Sequence, residues 1–384
     1  MKKTSKKIYI AFAALLLVLP AALMPLFYQK NEVDIAEMDK RYATSLSDVY
    51  NSADRAAAFE SWFSDHLAFR KTTISAFSHL NVAIGVSSNP EYVVLGKDGW
   101  MFLGNVHASK IDQYRRVIQY DQSEIEMDIA RIEALKAYLE TQDIAFLFAV
   151  PPNKENVYPE YLPDWMTIDG EPKYAELFKA LGGEDLIYEL YPDIMEAKGE
   201  YGDILYPKTD AHWTALGAYF GYESIIEKLN ADYEFDFKPV LLKSYSVAPN
   251  DGYELTKAIG YAGYYNDYES LVTVSPSSTA SMTYLTENTT WQGLRHFDNE
   301  GAENNARVLI IGDSFASQLS SYFESSFSNY YFVHYSMVYG ESDPSAALEQ
   351  IIQSTQPDVI ILEVIERHLQ SSIGLMPLIY NPLK

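Results

Sequence analysis

The stretch Val308-Leu309-Ile310-Ile311-Gly312-Asp313-Ser314-Phe315 decides the fold. A short, wholly apolar run of this kind predicts a strand buried on both faces, as in a parallel sheet sheathed by helices. Gly312 lets the backbone turn tightly and leaves room for a ligand. Residues 316–328 then carry a helical pattern, so Ser314 falls where strand becomes helix. A hydroxyl at such a turn stands at the carboxyl end of the sheet. The first N–H groups of the helix and the positive end of its dipole lie beside it. That arrangement suits a serine nucleophile and the oxyanion it creates. An ordinary helix-start serine, with Asp313 as the helix cap, fits the same letters.

The neighbouring sequence repeats the strand–helix rhythm. Ile125, Ile129, Ile132, Leu135 and Leu139 recur at steps of three and four, predicting a helix, and Ala145-Phe146-Leu147-Phe148-Ala149-Val150 predicts a buried strand that ends at Pro151-Pro152. A helix starting just after Trp213 is predicted by Leu216, Tyr219, Phe220, Ile225, Ile226 and Leu229. After Ser314, strands are expected at Tyr331-Phe332-Val333 and Val359-Ile360-Ile361-Leu362, with a helix over 344–354 between them. The fold class is therefore α/β, with helices on both faces of a parallel sheet. Residues 240–305, rich in Tyr, Ser and Thr, break the rhythm and read as an irregular or β insertion. Towards the N-terminus, Phe59, Trp62, Phe63, Leu67 and Phe69 mark a helical region over 53–83. Val93-Val94-Leu95 and Trp100-Met101-Phe102-Leu103, around Lys97-Asp98-Gly99, read as a hairpin.

About a hundred residues before Ser314 stands Thr209-Asp210-Ala211-His212-Trp213-Thr214. In an extended segment, Asp210 and His212 point to the same side. A carboxylate there can hold one imidazole nitrogen and leave the other as a base. A capping aspartate and a core histidine would look the same. No second histidine or acidic cluster with ligand spacing accompanies them, so no metal is expected. No cofactor is expected either. Trp213, beside the candidate base, is the best single candidate for lining a cleft, and packing is an equal alternative. Asp65-His66 is no dyad, because adjacent helical residues diverge. His334 reads as a packed or surface residue at a strand end. Glu363 falls near the end of the last strand, and Glu366 and Arg367 read as ion-pair residues.

Composition limits the partners. The chain has 384 residues, no cysteine and a net charge of −24. Lys2, Lys3, Lys6 and Lys7 are the only charges in the first 29 residues, so the remainder is near −28. Nucleic acid is excluded as a partner, since its phosphates would be repelled. The same acidity gives no electrostatic help to a strongly anionic glycan, and keeping the domain soluble is the alternative reading of it. The four lysines precede an uncharged run from Ile8 to Gln29, about as long as the roughly 20 residues a spanning helix needs. An uncleaved signal-anchor over 1–29 is expected, with an extracytoplasmic C-terminal mass. Signal cleavage and secretion is the alternative. Residues 30–52 read as a linker and 53–384 as the main domain.

Several blocks together resemble the SGNH hydrolase-like proteins of the alginate O-acetyltransferase type, the AlgX/AlgJ and DHHW group. They are Phe63-Ser64-Asp65-His66-Leu67-Ala68-Phe69-Arg70, Gly96-Lys97-Asp98-Gly99-Trp100-Met101-Phe102, Pro151-Pro152-Asn153-Lys154-Glu155-Asn156-Val157-Tyr158-Pro159, and the Thr209–Thr214 and Gly312–Phe315 motifs. The resemblance runs in order from about residue 55 to 370. It implies a three-layer α/β/α fold with permuted motif order, Asp and His preceding Ser. Ser314 would be the nucleophile, His212 the base and Asp210 its orienting carboxylate. Gly312, Asp313, Phe315 and Trp213 would lie around the oxyanion and substrate. The implied activity is O-acetylation of a cell-surface or exported polysaccharide through an acyl-serine. The acyl donor would come through a multi-spanning membrane O-acyltransferase. A polysaccharide acetyl-esterase and a non-catalytic glycan-binding or scaffold subunit are the alternatives. One departure is that Ala211 stands where the DHHW group has its first histidine. Separate Gly and Asn blocks of standard SGNH hydrolases are also not found, which leaves the oxyanion hole incompletely assigned.

Overall fold

The computed structural model describes residues 18–38, 41–118, 120–166, 168, 174–183, 185–261, 265–284 and 293–380. The chain forms two compact units. One is Met1–Val93 with Gly252–Tyr265, and the other is Val94–Asp251 with Asn266–Lys384.

The first unit is helical: Met24–Met38, Leu46–Asn51, Arg55–His66, Arg70–Ala83 and Glu254–Ala258. The segment 30–52, read as a linker, thus carries the end of one helix and the whole of another. Ser45 and Asp48 form a capping box at Leu46, and the Asp54 side chain caps Arg55–His66. The helical region expected over 53–83 is interrupted at residues 67–69, with Phe69 left-handed at φ 64°. At the break the Asn31 amide donates to the carbonyls of Asp65 and Leu67 at 3.2 and 2.8 Å, supplying partners to carbonyls at the helix end. Arg41 pairs with the buried Asp65 carboxylate and fixes the same corner. Residues 8–17 of the Ile8–Gln29 run lie outside the described residues. No helix among the described residues is long and apolar enough to cross a membrane.

The second unit is built on a seven-stranded sheet. Its strands, numbered through this unit, follow the hairpin β1 (Val93–Leu95) and β2 (Met101–Leu103). They are β3 (Ala145–Val150), β4 (Tyr188–Glu189), β7 (Ser281–Tyr284), β8 (Arg295–Asp298), β9 (Asn304–Gly312), β10 (Phe327–His334) and β11 (Val359–Glu363), in the order β4-β3-β11-β9-β10-β8-β7. A separate ribbon pairs β5 (Leu241–Asn250) with β6 (Asp267–Ser275). The β4-to-β10 stretch is parallel, as expected, but β8 and β7 add two antiparallel strands at the β10 edge. These two come from the segment read as an insertion. The β structure expected there is thus present, but its joining the main sheet has no local signal, since β8 is short and only Phe297 in it is buried.

Side-chain alternation divides the core into two layers. Leu147, Val308, Ile310, Val359 and Ile361 point to one face, where the helices Ala215–Tyr233 and Ser314–Ser326 pack. Phe146, Phe148, Leu309, Ile311, Ile360 and Leu362 point to the other, covered by Gln122–Glu140 and Pro344–Thr355. Full burial of each such side chain contributes roughly 1.5–3 kcal/mol. Gly312 lies level with His334 on β10 and Glu363 on β11, so the strands end together. From β9 the chain continues to β10 on one side, and β11 flanks it on the other. This is the switch point at which α/β sheets hold ligands, and Ser314 is placed there.

Candidate active site

The loop Thr209–Thr214 precedes the helix Ala215–Tyr233, whose cap is Thr214, with its hydroxyl accepting from the Gly217 N–H. Asp210 is therefore not needed as a cap. Its Oδ1 accepts from Nδ1 of His212 at 2.7 Å and from the His212 backbone N–H at 3.0 Å. The other ring nitrogen, Nε2, lies 2.7 Å from Oγ of Ser314, brought from a segment 102 residues away. A carboxylate can only accept, so the ring carries its proton on Nδ1 and turns a lone pair towards the serine hydroxyl. Burial alone would raise the Asp210 pKa. The hydrogen bonds and charge of His212, with the Lys154 charge, outweigh it and hold the carboxyl below its ordinary value. Ser314 is exposed, and the Asp210 and His212 side chains are 17% and 20% exposed, so solutes reach the hydroxyl.

The other residues expected around the substrate sit deeper. Trp213 and Phe315 are 1% and 0% exposed, with ring centroids 5.3 Å apart. Trp213 packs where Gly221 leaves space: a Cβ there would fall 2.7 Å from the indole. The cleft-lining reading of Trp213 gives way to packing, because the following helix draws the indole into the core. Phe315 lies beneath His212 at a centroid distance of 5.0 Å. Asp313 is the helix cap, accepting from the Phe315 N–H at 2.8 Å, while its second oxygen accepts from the Ile365 N–H at 3.0 Å. Its buried carboxylate serves the turn itself, so a direct substrate contact is corrected to a structural one. Gly312 has no room for a side chain: a Cβ would stand 2.4 Å from that of Ala316 and 3.0 Å from Oε2 of Glu363.

Glu363 lies under this turn, fully buried. Burial, reinforced by the Asp313 charge, pushes its carboxyl well above the ordinary range. The amides of Asp313 and Ala316 face it without closing well-aligned hydrogen bonds. Glu366 and Arg367, read as ion-pair residues, instead grip the β3 exit. Glu366 accepts from the Asn153 N–H at 2.6 Å and from the Asn156 amide, and Arg367 donates to Oδ1 of Asn153 at 3.3 Å. The buried ion pair of this region is Lys110–Glu155, at 2.6 Å. Sequence reading gave no individual role to Lys154 or Asp267, two buried residues behind the Asp210 loop. The one signal for Lys154 was its place in a resemblance block. His334, half-buried, meets the Ser336 hydroxyl at 2.8 Å. A cavity of about 700 Å³ opens at the amino ends of β3 and β11, the opposite end of the sheet from Ser314.

Glu366 carries a pH prediction. Burial outweighs the stabilising Asn153 N–H and raises its pKa to about 8. A folded-state pKa above the unfolded value makes the contribution full at low pH and lost as pH rises towards the folded pKa. Stability is therefore expected to fall between pH 5 and 7, by up to about 1.4 kcal/mol per pH unit from this group. Glu366→Gln should flatten that slope in urea unfolding. An unchanged slope would mean that Glu366 does not titrate in this window.

Residues 93–366 match the family model described as SGNH hydrolase-like domain, acetyltransferase AlgX. Among curated proteins, the chain is 24% identical over 180 residues to a “Probable alginate O-acetylase AlgJ” of Pseudomonas syringae pv. tomato, covering 46% of this chain and 43% of that one. It is 23% identical over 184 residues to the protein of the same description from Pseudomonas aeruginosa, covering 46% and 42%. The matches thus span less than half the length of these relatives. In structure it is similar to Bacillus cereus PatB1 with a sulfonyl adduct (TM-score 0.53, 17% identity, 74% of this chain and 100% of that one). It is also similar to a DHHW family protein from Eubacterium siraeum (TM-score 0.51, 14% identity, 77% and 98%). At these identities the two structures bear on the fold alone. The family model covers well over half of the chain, with the Asp210, His212 and Ser314 positions inside it, and the chain belongs to this SGNH hydrolase-like AlgX acetyltransferase family.

Proposed function

We propose that the protein is a serine-dependent O-acetyltransferase acting on polysaccharide, with Ser314 as nucleophile, His212 as base and Asp210 as its orienting carboxylate. The observation that carries this reading is the continuous Asp210–His212–Ser314 hydrogen-bond chain, with both links at 2.7 Å. Oγ of Ser314 attacks the acyl carbon of an ester donor as its proton passes to Nε2 of His212. The tetrahedral oxyanion forms beside the helix N-terminus. There the Phe315 N–H is committed to Asp313 and the Asp313 and Ala316 amides face Glu363, so we assign the Ser314 N–H as this turn's donor to the oxyanion. Collapse expels the donor alcohol, which takes the proton from His212. A glycan hydroxyl then gives its proton to His212 and attacks the acyl-serine carbonyl, and Ser314 leaves with that proton. General-base assistance of this kind contributes roughly 10²–10⁴-fold.

The exposure of Ser314 favours one second reading, an acetyl-esterase in which water replaces the glycan. For place and partners, we propose an Ile8–Gln29 membrane anchor, an extracytoplasmic catalytic domain and donor supply by a multi-spanning membrane O-acyltransferase. Retention of the full-length chain in alkaline-washed membranes supports the anchor, and release into the wash rejects it. The acidity of the chain, near −28 beyond residue 29, favours a neutral or amine-bearing acceptor.

Intact-mass spectrometry of the full-length protein after exposure to p-nitrophenyl acetate tests the catalytic reading. One acetyl adduct is expected. Neutral, amine-bearing and polyanionic glycans are then compared with buffer for the rate at which they drain it. Faster loss with acetylated glycan as product supports the transferase. Loss at the water rate with every glycan supports the esterase. No adduct rejects both.

A further inference from the structure

Three segments, two of which carry no catalytic group, meet at one buried amine. Lys154 begins the short helix Lys154–Val157 just after β3 and is 1% exposed. Its Nζ donates to the carbonyls of Met101 at 2.9 Å, Lys208 at 2.7 Å and Asp210 at 2.9 Å. An ammonium has three donors, and all are used. The rings of Trp100 and Phe102 lie 4.8 and 5.3 Å from the same nitrogen. The β1–β2 hairpin, the β3 exit and the Asp210–His212 loop are therefore joined at a single side chain. From the opposite side comes Asp267, at the start of β6 and 3% exposed. Its carboxylate accepts from the backbone N–H groups of Lys208 at 3.0 Å and Thr209 at 2.7 Å, and from the Thr209 hydroxyl.

The segment Lys208–Asp210 is thus held by its carbonyls on a buried cation and by its N–H groups on a buried anion. Both charged atoms bind backbone, so they fix the path of the chain. Neither touches Ser314 or the open face of the site. The dyad spans three residues of a loop, and loops are the mobile parts of a fold. A base within 2.7 Å of its nucleophile on such a loop needs a fixed frame.

We propose that Lys154 and Asp267 are positioning residues that clamp the Asp210–His212 loop in register with Ser314. The clamp deepens the serine-nucleophile reading and rests on it for its catalytic meaning, though the geometry of the dyad can be observed without catalysis. The titratable groups facing Lys154 are Asp267, Asp210, Glu155 and Lys110. Burial pulls its ammonium down to about 7 against the attraction of Asp267 and Asp210. The carbonyls and ring faces around it are what a protonated amine seeks in a buried site.

The test uses the full-length protein with Lys154→Met, which keeps length and removes donors and charge, and Asp267→Asn, which keeps shape. Folding is checked by circular dichroism and thermal unfolding. The first readout is the downfield proton resonance of the His212 Nδ1–H held by Asp210, assigned by its absence in His212→Ala. The second is the acylation rate with p-nitrophenyl acetate. Lys154→Met is expected to lose or broaden the resonance and to slow acylation about 100-fold at similar KM, the cost of roughly 1 Å of misplacement. A folded Lys154→Met with the wild-type resonance and a rate within threefold overturns the clamp. If Lys154→Met does not fold, Asp267→Asn decides: a slowed rate with a broadened resonance supports the clamp, and wild-type behaviour overturns it. A wild-type protein that shows the resonance but never acylates removes the serine-nucleophile reading, while the resonance in the variants still judges the clamp.

Discussion

Ser314→Ala is expected to abolish acetyl-adduct formation, lowering the acylation rate by at least about 10⁴-fold, because on the proposed reading it removes the group that forms the covalent bond and water is a poor substitute. The effect should be purely chemical. Ser314 is exposed, its hydroxyl meets His212, and the helix it begins is capped by Asp313. Alanine is at least as good a helix former as serine. The variant should therefore unfold within about 2 °C of wild type, since no buried group or cap is lost. Intact-mass spectrometry at matched ester concentration checks the first expectation and thermal unfolding the second. An adduct that forms on the variant at the wild-type rate would put the nucleophile elsewhere. A large drop in melting temperature would mean that lost activity is lost fold.

What the sequence discloses about this site is what lies in local patterns. The β9 run announces a buried strand because every residue from Val308 to Ile311 is apolar, and each is at most 1% exposed. Gly312 and Ser314 follow from that strand by adjacency. Asp210 and His212 could be paired from their spacing of two, although the fold joins them through a bend, with the Asp210 carboxylate accepting from the His212 N–H, and not through extended chain. The link between the two motifs spans 102 residues, and no local pattern encodes it. What stayed hidden depends on tertiary burial. Lys154 follows a Pro-Pro-Asn turn and has the composition of a surface helix start, yet the fold closes over it. Glu363 is placed by the sequence only near the end of the last strand, and the fold sets it beneath the Gly312 turn, pushed up by burial. Trp213 adjoins the candidate base in sequence, but the next helix turns it inward. The strand order was out of reach for a related reason. β7 and β8 are short strands from a polar segment, and they join the sheet only because β10 offers a free edge.

The second large effect concerns Asp210, and its size should depend on what replaces the carboxylate. Both donors of His212, the ring Nδ1–H and the backbone N–H, converge on one oxygen, Oδ1. An asparagine can put its carbonyl oxygen at that position and its NH₂ at the other. Asp210→Asn is therefore expected to keep the tautomer that leaves Nε2 free for Ser314, losing only the charge that steadies the imidazolium formed during attack. Two unit charges about 4 Å apart attract by about 4 kcal/mol at an effective dielectric of 20. The pair is 17–20% exposed, so solvent takes part of that. A fall in acylation rate of about 100-fold is expected for Asp210→Asn, equivalent to about 2.7 kcal/mol. Asp210→Ala removes the acceptor as well. The ring is then free to turn or to move its proton to Nε2, where it blocks the base, and a loss of roughly 10³–10⁴-fold is expected. Single-turnover acylation of both variants measures the ratio. Equal losses would mean that the carboxylate acts by charge alone. A larger loss in the asparagine variant would mean that the amide turns its NH₂ to the ring and imposes the wrong tautomer.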